Sequence, residues 1–324
     1  GIEFNRKNGE YSLLRPLGST HPRVASVGNH TGVAIMNAVR DEFASNANIS
    51  ALKDTRALRL LRMDGRVAGA LIYQIFPDRF FEGEPDKTMP FADRVYRTDK
   101  HNPPYYWPNE HPEGYLNMDY YGGDFAGIRQ KLPYLAELGV TCLYLNPIFE
   151  AHSNHRYNTA NYMQVDPVLG TNEDFEALCA DAHAHGIRIL LDGVFSHTGS
   201  DSLYFNKEGR YRGRGAWQDK NSPYRSWFVF SDQYKCGYRS WWGFETLPEV
   251  EENDPRYREF ICGENGVLRT WLRRGADGWR LDVADELPDD FIADIRTAVK
   301  AEGEEKLLLG EVWEDATTKI SYGG

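Results

Sequence analysis

From residue 71 onward, short apolar runs alternate with longer segments in which apolar positions recur every three or four residues. The runs LIYQIF (71–76), VTCLYLNPI (140–148), IRILLDGV (187–194), GWRLDVA (278–284) and KLLLGEVW (306–313) read as strands. The segments 124–139, 171–186, 254–275 and 288–303 have helical spacing. Gly139 and Gly186 close the first two helices. Thr171 and Asp174 form a Thr-x-x-Asp capping pattern, and Pro288 takes a first-turn position. Five strand units joined by helical crossovers predict a parallel sheet covered on both faces, either doubly wound or a barrel.

Two stretches break the alternation. Residues 195–253 form a long insertion rich in aromatics, among them Tyr204, Phe205, Trp217, Trp227, Phe228, Trp241 and Trp242. Residues 1–70 read as a lead-in, helical or partly disordered, with mixed helical character over 32–65 and an opening GIEF that looks vector-derived. The expected division is therefore a lead-in (1–70), a first barrel part (71–194), an insertion (195–253) and a continuation (254–324).

Composition is that of a globular chain: 324 residues, 41% hydrophobic and 26% charged. The formal net charge of −11, with no basic patch, disfavours nucleic-acid and anionic-membrane partners. No apolar run is long enough to cross a bilayer, and the N-terminus has no basic segment followed by an apolar one. The four cysteines, Cys142, Cys179, Cys236 and Cys262, are widely spaced and contain no CxxC pair, which predicts reduced thiols and a reducing compartment.

Parallel sheets carry chemistry beyond the C-terminal ends of their strands. Three strands in succession end in charge: Asp192, then Arg280 with Asp282, then Glu311. Alternation puts Arg280 and Asp282 on one face and Trp279, Leu281 and Val283 on the other. Neighbouring strands lie ~4.8 Å apart, so Asp282 and Glu311 are expected near the ~5–5.5 Å that suits a nucleophile and an acid/base. Arg280 is expected to keep Asp282 ionised, and a drier position beside Trp313 to keep Glu311 protonated. Taken singly, an Arg-x-Asp pair is more often an ion pair, and a strand-end Glu more often a helix cap. Their succession favours a site.

These motifs resemble the α-amylase family, glycoside hydrolase family thirteen, over residues 71–324. YQIFPDRF is similar to the family's first-strand signature, GVTCLYLNPI to the second, DGVFSH to the region with Asp and His five apart, GWRLDVADE to the nucleophile region and GEVWED to the acid/base region. LYLNPIFEAHSNHRYNTANY and WWGFETLPEVEEND look most like the neopullulanase, cyclomaltodextrinase and maltogenic amylase group. The resemblance implies a TIM (β/α)8-type barrel with a B-domain insertion after strand three. It implies retaining hydrolysis of α-1,4-glucosidic bonds in starch, maltodextrin, pullulan or cyclodextrin, with transfer to another sugar as a neighbouring outcome. Asp282 is the implied nucleophile, Glu311 the acid/base and Arg280 the residue that orients Asp282. Asp192 and His197 are implied to hold hydroxyls or a local network, His155 to add a hydrogen bond and Tyr157 to stack on the sugar. Aromatics of the insertion are either that region's own core or sugar platforms.

Departures from the family pattern carry their own expectations. No cofactor is required. Calcium is an option, but Ser196 stands where the usual site has Asn and Glu286 where it often has His. Asn161 and Glu314 also differ from common family residues. Only about five strands are present, so the sequence reads as a barrel cut after strand five, without the later His-Asp pair. An open edge predicts self-association or low stability, with a homo-oligomer as one outcome. Cytoplasmic location is expected from the resemblance. Two other functions stay open: a non-catalytic glucan-binding fragment, and an unrelated α/β enzyme, for which no GxGxxG after a strand or GxxxxGK[ST] exists.

Overall fold

The computed structural model describes residues 72–85, 89, 92–105 and 117–313, together with short strands ahead of them. Packing divides the chain into two units, Gly1–Ala57 and Leu58–Gly324, so the division falls ahead of residue 70. The first unit holds two antiparallel pairs, Arg6–Lys7 with Glu10–Tyr11 and Leu13–Leu14 with Val24–Ala25. The reading of this stretch as a helical or partly disordered lead-in does not include these strands. Most of the helical stretch expected over 32–65 lies outside the described residues.

In the second unit five strands form one parallel sheet: β1 (Ile72–Ile75), β2 (Cys142–Leu145), β3 (Arg188–Gly193), β4 (Gly278–Leu281) and β5 (Leu307–Gly310). Spatial order equals chain order, each crossover stepping one strand further in the same direction. A doubly wound sheet reverses direction midway, and this one does not, so the winding is that of a barrel wall.

Among the described residues, besides the single turn Pro77–Phe80 after β1, five helices connect or flank these strands: α1 (Phe125–Glu137), α2 (Asn172–Ala184), α3 (Pro255–Cys262), α4 (Val267–Arg273) and α5 (Asp289–Ala301). Gly139 and Gly186 follow α1 and α2 at φ +88 and +71, the left-handed conformation that ends a helix. The capping box at α2 is complete: Thr171 Oγ1 accepts from the Asp174 N–H at 3.1 Å, and Asp174 accepts from the Thr171 N–H at 2.9 Å. Pro288 sits one position earlier than expected, as the N-cap of α5. The helix expected over 254–275 is two helices, broken across Gly263 and Gly266. An antiparallel pair, Phe149–Ala151 with Thr159–Val165, follows β2.

The two faces of the sheet differ. Leu143, Leu145, Ile189, Leu191, Trp279 and Leu281 point outward into one large core with Ile128, Leu132, Phe175, Leu178, Trp271 and Phe291 of the helices. Each large apolar side chain buried there contributes roughly 1.5–3 kcal/mol of transfer free energy. Trp271 anchors this layer, its ring centroid 5.3 Å from that of Phe175 and its indole N–H on the Tyr162 carbonyl at 2.8 Å. The inner face carries only a small cluster of Cys142, Tyr144 and Leu190, with Ile72 against it. Leu307 and Leu309 of β5 are each 41% exposed. All four cysteines are free, and no helix among the described residues is long and apolar enough to cross a membrane.

Candidate active site

Strand register assembles the charged cluster. Asp192 on β3 pairs with Arg280 on β4, and Leu281 pairs with Gly310 on β5, so Asp282 and Glu311 follow side by side. Alternation turns these polar residues inward while Trp279 and Leu281 fill the outer core, as the sequence predicts. Arg280 joins all three acids. Its Nη1 donates to Asp192 Oδ1 at 2.8 Å and Asp282 Oδ1 at 2.7 Å, and its Nη2 lies 2.7 Å from Glu311 Oε2.

Electrostatics inverts one expectation. Burial and the nearby Asp192 charge, against the pull of Arg280, push Asp282 up to about 7. Glu311, expected in a dry position, has a side chain 30% exposed and ion-paired to Arg280. Trp313, expected to shelter it, is itself 41% exposed. One guanidinium facing three carboxylates cannot compensate them all, and the most enclosed member without other side-chain donors is Asp282. Val283 adds local strain: it is β-branched, has φ +43, and donates its N–H to Glu311 Oε2 at 3.1 Å.

Asp192 is fully enclosed and belongs to a network. Its Oδ1 takes Arg280, and its Oδ2 takes the hydroxyls of Tyr144 and, at 3.0 Å, Tyr157. Burial raises its proton affinity, while these donors oppose that rise. Of the two roles the sequence allowed, the network is the one its contacts fill.

His197 lies behind the same loop. Its Nε2 faces the Tyr157 carbonyl at 3.1 Å, an atom that only accepts, so Nε2 carries the proton and Nδ1 accepts from Ser196 Oγ at 2.9 Å. Burial lowers His197 to about 4, so the ring is neutral. His155 stacks on Tyr157 at 6.0 Å between centroids, and its Nδ1 accepts the Tyr157 N–H at 3.1 Å. Burial with Arg156 and Arg79 nearby lowers it to about 4. Arg156 between them is buried at φ +61, held by the Asn154 carbonyl at 2.9 Å and by Asp166. All seven residues singled out in the sequence, His155, Tyr157, Asp192, His197, Arg280, Asp282 and Glu311, therefore meet at one end of the sheet.

Several members were not foreseen. Tyr144, Asn146 and Gln74 join the network from β1 and the end of β2. Their signal was a polar tip on alternate positions of apolar strands. Glu286 accepts the indole N–H groups of Trp241 at 2.8 Å and Trp242 at 2.9 Å, and Trp241 packs against His197 at 5.1 Å between ring centroids. Within the aromatic insertion, Tyr204, Phe205, Trp227 and Phe228 are core, whereas Trp217 and Trp242 are about 40% exposed. The calcium positions do not fit an ion: the Ser196 hydroxyl serves His197 and both Glu286 oxygens serve indoles. No cluster of three metal-ligating side chains occurs among the described residues. Glu314 lies outside them.

Comparison with known proteins gives the chain its relatives. The catalytic-domain model of alpha-amylase matches residues 74–323. Amylopullulanase of Thermoanaerobacterium saccharolyticum is 40% identical over 289 residues, covering 78% of this chain and 22% of its own length. Neopullulanase 2 of Thermoactinomyces vulgaris is 36% identical over 256 residues, covering 76% and 39%. Among solved structures, Ttha1563 from Thermus thermophilus has TM-score 0.60 and 40% identity, covering 77% of this chain and 49% of that one. The type III pullulan hydrolase from Thermococcus kodakarensis has TM-score 0.62 and 31% identity, covering 75% and 43%. The chain thus spans less than half the length of these relatives. Amylopullulanases were not among the groups its motifs suggested.

Proposed function

The chain belongs to the alpha-amylase family, with a TIM-barrel-type catalytic fold of which it spans part, and on that premise we propose that it carries the acid pair of a retaining α-glucan hydrolase. The observation that supports this most is one guanidinium, Arg280, gripping Asp282 and Glu311 at the ends of adjacent strands. Asp282 attacks the anomeric carbon and forms a covalent glycosyl-enzyme, while the glycosidic oxygen leaves with a proton from Glu311. Glu311 then takes a proton from water, which displaces Asp282 and returns the sugar with its configuration retained. Arg280 aims the attacking oxygen. In the free chain Glu311 is folded onto Arg280, so proton donation requires it to swing off toward the glycosidic oxygen; free active sites commonly tighten only around substrate. Tyr157, stacked beside His155, offers the aromatic face for the cleaved sugar. His197 supports Tyr157 from behind through its carbonyl.

The substrates are α-1,4-linked glucans: starch, maltodextrin, pullulan or cyclodextrin; relatives named amylopullulanase, neopullulanase and cyclomaltodextrinase support that class. Residues 195–253 act as the B-domain insertion between the third and fourth barrel strands. No metal step enters, and cytoplasmic location follows the intracellular relatives. The test is reducing-sugar release from soluble starch and β-cyclodextrin by the purified chain and by Asp282→Asn prepared identically. Turnover by the wild type alone supports the reading, and equal release by both overturns it. Tight glucan binding without turnover in either protein favours the non-catalytic reading.

A further inference from the structure

Two amides stand beside the proposed site without a part in its chemistry. Asn146, 7% exposed, follows β2 two residues after Tyr144, and Gln74 lies on β1. Gln74 Nε2 donates to Asn146 Oδ1 at 2.9 Å, and Asn146 Nδ2 donates to the Tyr157 hydroxyl oxygen at 2.9 Å. A hydroxyl has one proton. With its oxygen already accepting from Asn146, Tyr157 sends that proton to Asp192 Oδ2 at 3.0 Å. Tyr144 lies farther, at 3.5 Å, and spends its own proton on the same Oδ2.

We propose that Asn146, with Gln74 behind it, is a positioning residue that fixes the Tyr157 hydroxyl as a donor to Asp192 and so sets both the pose of the Tyr157 ring and the charge of Asp192. The assignment of Tyr157 as a sugar platform rests on the function proposed above; the hydrogen-bond polarity does not. Donors run one way from Gln74 on β1, through Asn146 and Tyr157, to Asp192 on β3, whose other oxygen takes Arg280 from β4. Gln74 is needed because an amide has two orientations. Turned around, Asn146 would present a carbonyl to Tyr157 and compete with Asp192 for its proton. The charged and titratable groups around Asp192 are Tyr144 from β2, Tyr157 from the following loop, and Arg280 with Asp282 from β4; Glu311 reaches it only through Arg280. A buried carboxylate loses about tenfold in acidity when one donor is removed.

The test is the carboxyl titration of Asp192, followed by 13C NMR in the intact chain and assigned by its loss in Asp192→Asn. Tyr157→Phe, which removes a donor, is expected to raise its midpoint by about one pH unit, Asn146→Ala to raise it by up to that step, and the double variant no further than Tyr157→Phe alone. Gln74→Ala, at an exposed position, is expected to raise it by a smaller step. An unmoved midpoint in Asn146→Ala or Gln74→Ala, or additive effects in the double variant, overturns the proposal. The titration needs no substrate, so a chain that fails to cleave glucan removes the functional reading while this one is still decided by the midpoints.

Discussion

Asp192 and Asp282 accept hydrogen bonds from the same nitrogen of Arg280, at 2.8 and 2.7 Å. The sharing makes their charges compete. Asp192 has two tyrosine hydroxyls as well, and burial raises both acids against their shared cation, Asp282 to about 7. An attacking carboxylate must be ionised, so kcat/KM for soluble starch is expected to rise with pH through about 7. Removing the competing charge by Asp192→Asn should move that limb down by roughly one to two pH units. A limb that stays in place in Asp192→Asn refutes the competition.

The same shift has a stability sign. Folded Asp282 keeps a proton that the unfolded chain releases near the ordinary carboxylate value of 3.8, so its charge opposes folding increasingly between about pH 4 and 7, then constantly above. Asp282→Asn is therefore expected to be more stable than wild type by roughly 1–4 kcal/mol at pH 8, with the gap closing toward pH 4. Denaturant melts at several pH values measure it. A variant less stable than wild type at pH 8 would show that Arg280 outweighs desolvation.

Arg280→Ala leaves three acids facing one another without their shared cation. The expected loss is about 3–5 kcal/mol at pH 8, because breaking a buried ion pair strands the remaining charges. Much of it should return at pH 5 as those carboxyls take up protons. A loss that does not depend on pH would point to packing instead.

His197 is expected to stay neutral across the physiological range, because burial lowers it to about 4. Its NMR ring signals should show no inflection between pH 5 and 8. The unfolded chain binds that proton near pH 6.5, so the contribution of His197, up to about 3 kcal/mol, is present above 6.5 and lost as pH falls through about 4.

β5 has no further strand beside it among the described residues, and it exposes Leu307 and Leu309. Such an edge invites pairing. The purified chain is expected to self-associate in light scattering, and Leu309→Lys to reduce that association. A monodisperse monomer with a cooperative melt rules this out.

The elements of the sheet were legible because burial imposes periods that sequence records. β3 and β4 are apolar throughout on their outer positions, and α2 announces itself by Thr171, Asp174 and Gly186. The pair 149–151 with 159–165 was missed because its first strand is short and its register shifts on both sides of Glu150. The break in 254–275 was written in Gly263 and Gly266, yet helical spacing on both sides hid it.

By itself the sequence determined which acids and which arginine end the strands, though not every side chain that meets them. Strand alternation and chain order put Asp192, Arg280, Asp282 and Glu311 at the ends of successive strands, on the face opposite Trp279 and Leu281. Only the tertiary structure decided how those acids divide charge. That depends on how much water each retains and how many donors surround it. Burial raised Asp282 against the pull of Arg280, and Glu311 proved partly exposed and bound to the same guanidinium, not in the dry position that local neighbours suggested. Desolvation is a property of everything packed around a group, and residues such as Asn146 and Gln74 enter that surround from distant parts of the chain.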